Sequence, residues 1–122
     1  MKKILIVDDE VSLLGIIKLN LEATGKYEVQ TESQGLKAAE RAKAFKPDLI
    51  FLDIVMPDID GSEVAYILKE DPELANIPVI FLTATVTSEE VKRAGQKIGG
   101  QTFMAKPVSL NQLIECIEKN TK

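Results

Sequence analysis

Three short, uninterrupted runs of apolar residues constrain the fold of this chain more than any other feature of its sequence. They are Ile4–Val7, Leu49–Leu52 and Val79–Leu82. A strand with one face in water alternates apolar and polar residues, whereas a strand covered on both faces is apolar throughout. The three runs therefore predict buried strands of a parallel sheet.

Two weaker strand candidates, Tyr27–Thr31 and Thr102–Ala105, complete a set of five, and segments with helical spacing separate them. Ser109–Gln112 and Thr87–Glu90 each have the pattern of a capping box that opens a helix. Apolar or helix-forming residues at helical spacing are Leu14, Ile17 and Leu21, then Leu36, Ala39 and Lys43, then Val64, Ile67 and Leu68, and finally Leu110, Leu113, Ile114 and Ile117. This strand–helix alternation predicts an α/β fold, a flavodoxin-like doubly wound (βα)5 three-layer sandwich whose five parallel strands are ordered 2-1-3-4-5.

Composition narrows the class of protein. The 122 residues suffice for one domain, residues 1–122, and 15 basic against 19 acidic residues give a net charge of −4, which argues against direct binding to nucleic acid. The lone Cys116 is expected to be a small apolar residue on a helix flank in a reducing compartment. The apolar run after Lys2 and Lys3 stops at Asp8, too early for a signal peptide or a membrane span, so we expect a cytoplasmic protein.

Polar residues follow the predicted strands at the point where each strand ends. Asp8 and Asp9 follow the first strand, Asp53 the third, Thr83 the fourth and Lys106 the fifth. Ligands of open α/β sheets bind beyond the carboxyl ends of the strands, where the strand order reverses, and here that position lies between the first and third strands. We therefore expect the three aspartates around one cleft, flanked by Thr83 and Lys106.

Three carboxylates in one crevice require a compensating charge. Mg²⁺ fits, because it takes few carboxylates and keeps waters that a phosphate oxygen can displace. Asp53 is then a plausible nucleophile for phosphoryl transfer, with Lys106 neutralising phosphoryl charge and Thr83 donating a hydrogen bond. Each residue also has an ordinary structural interpretation, such as favourable charge at a helix N-terminus for Asp8 and Asp9. Their joint occurrence in strand order favours the functional one.

Over essentially its whole length the sequence resembles the receiver domains of two-component response regulators, the CheY-like family. The resemblance rests on motifs that are highly specific together: Ile4–Glu10, Pro47–Asp53, Met56-Pro57, Asp60-Gly61, Leu82–Ala84 and Phe103–Pro107.

The resemblance implies a set of site residues. Asp53 would be the phosphoryl acceptor, and Asp9, Asp53 and the Val55 backbone carbonyl would be direct Mg²⁺ ligands, with Asp8 acting mainly through water. Thr83 and Lys106 would bind the phosphoryl group, and the Lys106-Pro107 peptide is expected to be cis. Phe103 matches the family's switch aromatic, although a plain core aromatic is an alternative interpretation.

The resemblance also implies a signalling switch rather than an enzyme acting on an external substrate. The phosphoryl group would come from a sensor histidine kinase or a phosphotransfer protein. The signal would leave from the surface around the fifth strand and the last two helices to an effector or fused output domain, with no direct nucleic-acid or membrane contact. Gln101-Thr102 replaces a frequent acidic pair, which puts one type of dimer in doubt, and Val55 and Thr85 occupy positions that tune phosphoryl lifetime.

Three other functions compete with this interpretation. A haloacid-dehalogenase-type phosphatase would need a second aspartate at the position of Val55, and its nucleophile follows the first strand. A flavodoxin would place FMN phosphate against Asp8 and Asp9, which would repel it. A degenerate receiver that acts only as an interaction domain is disfavoured by the intact aspartates, Thr83 and Lys106.

Overall fold

The computed structural model describes residues 1–54, 56–83, 97–98, 101–105 and 108–121. Within them lie six strands and four α-helices, in chain order β1 (Lys2–Val7), α1 (Val11–Ala23), β2 (Tyr27–Glu32), α2 (Ala38–Phe45), β3 (Leu49–Asp53), α3 (Gly61–Glu70), β4 (Val79–Thr83), β5 (Lys97–Ile98), β6 (Gln101–Ala105) and α4 (Leu110–Asn120). A single 3₁₀ turn, η1 (Gly35–Lys37), leads into α2. The helix predicted to open at Thr87–Glu90 lies outside the described residues.

The strands form one sheet in the order β2-β1-β3-β4-β6-β5. β2, β1, β3, β4 and β6 are parallel, so the predicted order 2-1-3-4-5 is confirmed, with β6 as the fifth parallel strand. β5 adds two residues to the edge of β6 in antiparallel pairing, an addition that the sequence pattern did not predict. All five parallel strands therefore direct their carboxyl ends to the same edge of the sheet.

The apolar strands are buried on both faces, as their continuous hydrophobicity predicted. Alternate side chains of each strand point to opposite faces, so the sheet separates two cores. Ile4 and Ile6 of β1 pack with α1 and α4, whereas Leu5 and Val7 pack with α2 and α3. Each core excludes water from one face of the sheet. Because alternate side chains of β1 must pack in different cores, the register of β1 with its neighbouring strands is fixed.

The predicted helix faces are largely correct. Leu14, Ile17 and Leu21 are buried, and Leu113 and Ile117 are buried in α4. Two parts of these predictions were wrong. The face Leu36, Ala39 and Lys43 is not the buried one: α2 begins only at Ala38, Leu36 is exposed in η1 and Lys43 is exposed, whereas Ala38, Ala42 and Phe45 are buried. Ile67 of α3 is also exposed, because it lies on the side of its helix that faces away from the sheet.

Two smaller expectations are also confirmed. Ser109 and Gln112 form the predicted capping box, in which the Gln112 N–H donates to Ser109 Oγ at 3.1 Å and the Ser109 N–H donates to Gln112 Oε1 at 2.8 Å. Cys116 belongs to the core, and burial raises the pKa of its thiol to about 11, which keeps it protonated and unreactive.

Among the described residues, no helix is both long and apolar enough to span a membrane.

Candidate functional site: three carboxylates at the ends of β1 and β3

Asp8 follows the last residue of β1 and is fully buried. Its backbone N–H donates to the Glu32 carbonyl at 3.1 Å, which continues the β1–β2 pairing by one residue. Its Oδ1 accepts the Glu10 N–H at 3.0 Å, so the side chain also shapes the turn into α1. The aspartate is therefore held by strand pairing on one side and by the following turn on the other.

Asp53 is the last residue of β3 and is 5% exposed. β1 and β3 pair in parallel, with Val7 opposite Leu52, so Asp8 and Asp53 emerge beside each other. Asp9 is exposed next to them, and one carboxylate oxygen from each of the three aspartates lies within 4.8 Å of the other two. The predicted proximity of Asp8, Asp9 and Asp53 is confirmed.

This donor set fits a hard divalent cation. Three carboxylates this close repel one another, and burial of Asp8 and Asp53 reduces the water available to screen them. Oxygen ligands at short distance, with one carboxylate exposed to solvent, suit Mg²⁺, which binds through few carboxylates and retains water ligands.

Gly61 holds the backbone that follows Asp53. Its N–H donates to the Ile54 carbonyl at 2.7 Å, which closes the β3–α3 connection at its base. A Cβ at position 61 would collide with the Asp53 carbonyl oxygen and lie 2.6 Å from Ile54 Cα. Any side chain there would therefore displace Asp53 or the start of α3, and glycine allows α3 to begin against the site.

Glu32, the last residue of β2, is a buried acid that the sequence pattern did not single out. Its Oε1 accepts from Arg41 Nη2 at 3.2 Å and Nε at 3.3 Å, and its Oε2 accepts the Gln34 N–H at 3.1 Å. Arg41 thereby compensates a carboxylate that lies one strand from Asp8. The sequence held one signal for Glu32, namely its position at the carboxyl end of a predicted strand. The polar sequence of β2 offered no further signal.

The remaining predicted site residues are described in part. Thr83 is the last residue of β4 and lies opposite Ala105 of β6. Phe103 of β6 is partly buried and stacks on Phe81, with ring centroids 5.1 Å apart and an interplanar angle of 27°. Val55, Lys106 and Pro107 lie outside the described residues, as does the side chain of Thr83.

Comparisons with known proteins identify relatives over nearly the whole chain. Residues 4–118 match the family model of the response regulator receiver domain. The polar-differentiation response regulator DivK of Brucella anthropi is 37% identical over 117 residues, which cover 96% of this chain and 94% of DivK. The alkaline phosphatase synthesis transcriptional regulatory protein PhoP of Bacillus subtilis is 42% identical over 88% of this chain, but the match spans only 43% of PhoP.

A solved structure has the same fold as this chain. The chemotaxis protein CheY4 of Vibrio cholerae superposes with a TM-score of 0.82 at 27% identity, covering 98% of both chains.

The carboxylate cluster predicts that Mg²⁺ stabilises the folded protein. At a concentration about 100 times its dissociation constant, Mg²⁺ should raise the free energy of unfolding by about 2.7 kcal/mol. Asp9→Ala should reduce this gain sharply, because it removes the solvent-facing carboxylate of the cluster. Urea unfolding with Mg²⁺ and with EDTA measures both effects.

Asp48→Ala provides the control for that experiment, because Asp48 is an exposed carboxylate just before β3, at the opposite edge of the sheet. It should keep the full stabilisation by Mg²⁺. An equal gain in Asp9→Ala and the wild type would show that the cation binds elsewhere.

Proposed function

This chain belongs to the response-regulator receiver family, and we propose that it is a phosphorylation-activated switch whose phosphoryl acceptor is Asp53. The observation that carries the proposal is the burial of Asp53 at the end of β3 with carboxylate oxygens of Asp8 and Asp9 within 4.8 Å. A cation held by these carboxylates would lie next to a phosphoryl group on Asp53 and neutralise part of its charge.

In the proposed reaction, an Asp53 carboxylate oxygen forms a bond to the phosphorus of the donor. The bond from phosphorus to the donor nitrogen or oxygen breaks, and the electron pair leaves with that atom. Mg²⁺ held by Asp8, Asp9, Asp53 and the Val55 carbonyl would neutralise charge on the phosphoryl oxygens. Lys106 and Thr83 would bind those oxygens from the other side, and the chain would catalyse only its own phosphorylation and dephosphorylation.

Covalent phosphorylation provides the test of this proposal. Acetyl phosphate with Mg²⁺ should add one phosphate, which alkali should remove because acyl phosphates are labile to it. Asp53→Asn should abolish the addition, since the amide is a poor nucleophile, and EDTA should do the same in the wild type. Intact-mass spectrometry measures the product. Wild-type incorporation in Asp53→Asn would refute the assignment.

The physiological donor is proposed to be a sensor histidine kinase or a phosphotransfer protein, and α1 offers a surface for it. Val11, Ile16 and Leu19 are 67%, 58% and 70% exposed, a concentration of large apolar side chains on the outer side of one helix. Val11 and Leu19 are two turns apart, and Ile16 neighbours Leu19 at the i, i+3 spacing. α1 begins two residues after Asp9, so a protein that presents a phosphoryl group to Asp53 would cover this surface.

Docking on α1 predicts that protein donors and small donors respond differently to mutation. Leu19→Ser should slow transfer from a phosphorylated phosphotransfer protein roughly tenfold, because truncating a central apolar contact costs over about 1 kcal/mol. Phosphorylation by acetyl phosphate should be unchanged. Tyr66→Ser, which alters an equally exposed residue of α3, is the matched control. If Leu19→Ser slowed both donors equally, or Tyr66→Ser slowed the protein donor as much, the docking surface would not be α1.

The output is proposed to leave from the surface around β6 and the last two helices of the family's fold, toward an effector or a fused output domain in the cytoplasm. Thr83 is the last residue of β4. Phe103 of β6 stacks on Phe81, which also belongs to β4, so motion at the end of β4 can reach Phe103. A shift from 1:99 to 99:1 between two conformations takes about 5.5 kcal/mol of differential binding. The contacts of one phosphoryl group with Thr83, Lys106 and the cation would supply part of it.

Thr83→Ala should separate phosphorylation from switching. The variant should still accept phosphate on Asp53, but its conformational response should be much smaller, because the hydroxyl that follows the phosphoryl group is missing. Amide chemical shifts around Phe103, measured with and without beryllofluoride as a phosphoryl mimic, report the response. The full wild-type change in the variant would assign the coupling to Lys106 or the cation instead.

A further inference from the structure

The connection that follows Asp53 is tied to a second part of the molecule at its tip. Asp58 Oδ2 accepts the Leu36 N–H of η1 at 3.0 Å, across 22 positions of sequence. This N–H is the main reason that the pKa of the Asp58 carboxyl lies below its usual value. Asp58 itself is exposed, so the bond lies at the protein surface, where it joins the connection to η1.

The same connection packs directly against η1 beside this bond. A Cβ at Gly35 would lie 2.5 Å from Ile59 Cγ2 and 2.9 Å from Met56 Cε, so the side chains of the connection pack on the Gly35 backbone as closely as a glycine allows. At its base, the connection is held by the Gly61 N–H on the Ile54 carbonyl. The connection between β3 and α3 is thus held at its base by the Gly61–Ile54 bond and at its tip by the Asp58–Leu36 bond.

We propose that Asp58 is a positioning residue for the phosphoryl-acceptor site: by holding the β3–α3 connection on η1, it fixes the backbone that leaves Asp53. The inference rests on the proposed function of Asp53 and the carboxylate cluster. Asp58 is not expected to contact the cation or the phosphoryl group. Its effect passes through the backbone to the carboxylate of Asp53 and to the groups that follow it.

Asp48 offers a matched control within the same chain. It is also an exposed aspartate whose Oδ2 accepts a backbone N–H from a distant segment, that of Lys3 at 2.8 Å. It precedes β3, however, whereas Asp58 follows it, so the two bonds lie at opposite edges of the sheet. Asp48→Ala and Asp58→Ala therefore remove the same type of bond, but only one removes it near the site.

The test compares Mg²⁺ binding by calorimetry in the wild type, Asp58→Ala, Asp58→Asn and Asp48→Ala, with urea unfolding of each. Asp58→Ala should weaken Mg²⁺ binding roughly threefold to tenfold, less than is typical when a residue bonded directly to a metal ligand is changed. It should also slow phosphorylation by acetyl phosphate at saturating Mg²⁺. Asp58→Asn keeps an oxygen acceptor for the Leu36 N–H and should match the wild type, as should Asp48→Ala even where it lowers stability.

Three results would overturn the proposal. Wild-type affinity and rate in Asp58→Ala would show that the bond does not position the site. Equal weakening in Asp58→Asn and Asp58→Ala would assign the effect to the lost charge rather than to the hydrogen bond. Equal weakening in Asp48→Ala would assign it to general destabilisation. A wild type that binds no Mg²⁺ would instead contradict the proposed function itself, so the two failures are distinguishable.

Discussion

Asp8 and Asp53 bring two carboxylates into a part of the protein that water barely reaches, and the parallel pairing of β1 with β3 leaves them beside each other. Neither strand can shift to separate them, because a slip of one residue would turn every apolar side chain of β1 or β3 to the wrong core. The apolar packing of the sheet thus holds like charges together. A bound cation would relieve this repulsion, and a phosphoryl group could then approach.

Residues around the cluster neutralise a neighbouring negative charge and hold the backbone next to Asp53. Arg41 compensates Glu32, so that carboxylate is neutralised where it lies, one strand from Asp8. Gly61 lets α3 begin against the Asp53 carbonyl, which fixes the start of that helix next to the cluster. Both contacts stabilise the surroundings of the cluster without using its three carboxylates.

Much of this arrangement could be predicted from the sequence, because it depends on local patterns. Continuous apolar runs identified the buried strands, and polar residues at strand ends identified Asp8, Asp9 and Asp53. The two-residue strand β5 has no pattern of its own, and its pairing with β6 depends on chain geometry. Asp58 is one of two acids in the connection between β3 and α3, and its partner Leu36 lies 22 positions away, so only the folded structure relates them.

Site-resolved mapping of the phosphorylated residue tests whether Asp53 is the phosphoryl acceptor. Borohydride reduces an aspartyl phosphate to homoserine, which remains in the peptide through proteolysis and sequencing by mass spectrometry. After treatment with acetyl phosphate and Mg²⁺, we expect homoserine at position 53 and unmodified aspartate at positions 8 and 9. Homoserine at Asp8 or Asp9, with Asp53 unmodified, would refute Asp53 as the acceptor, and so would the absence of homoserine from all three positions.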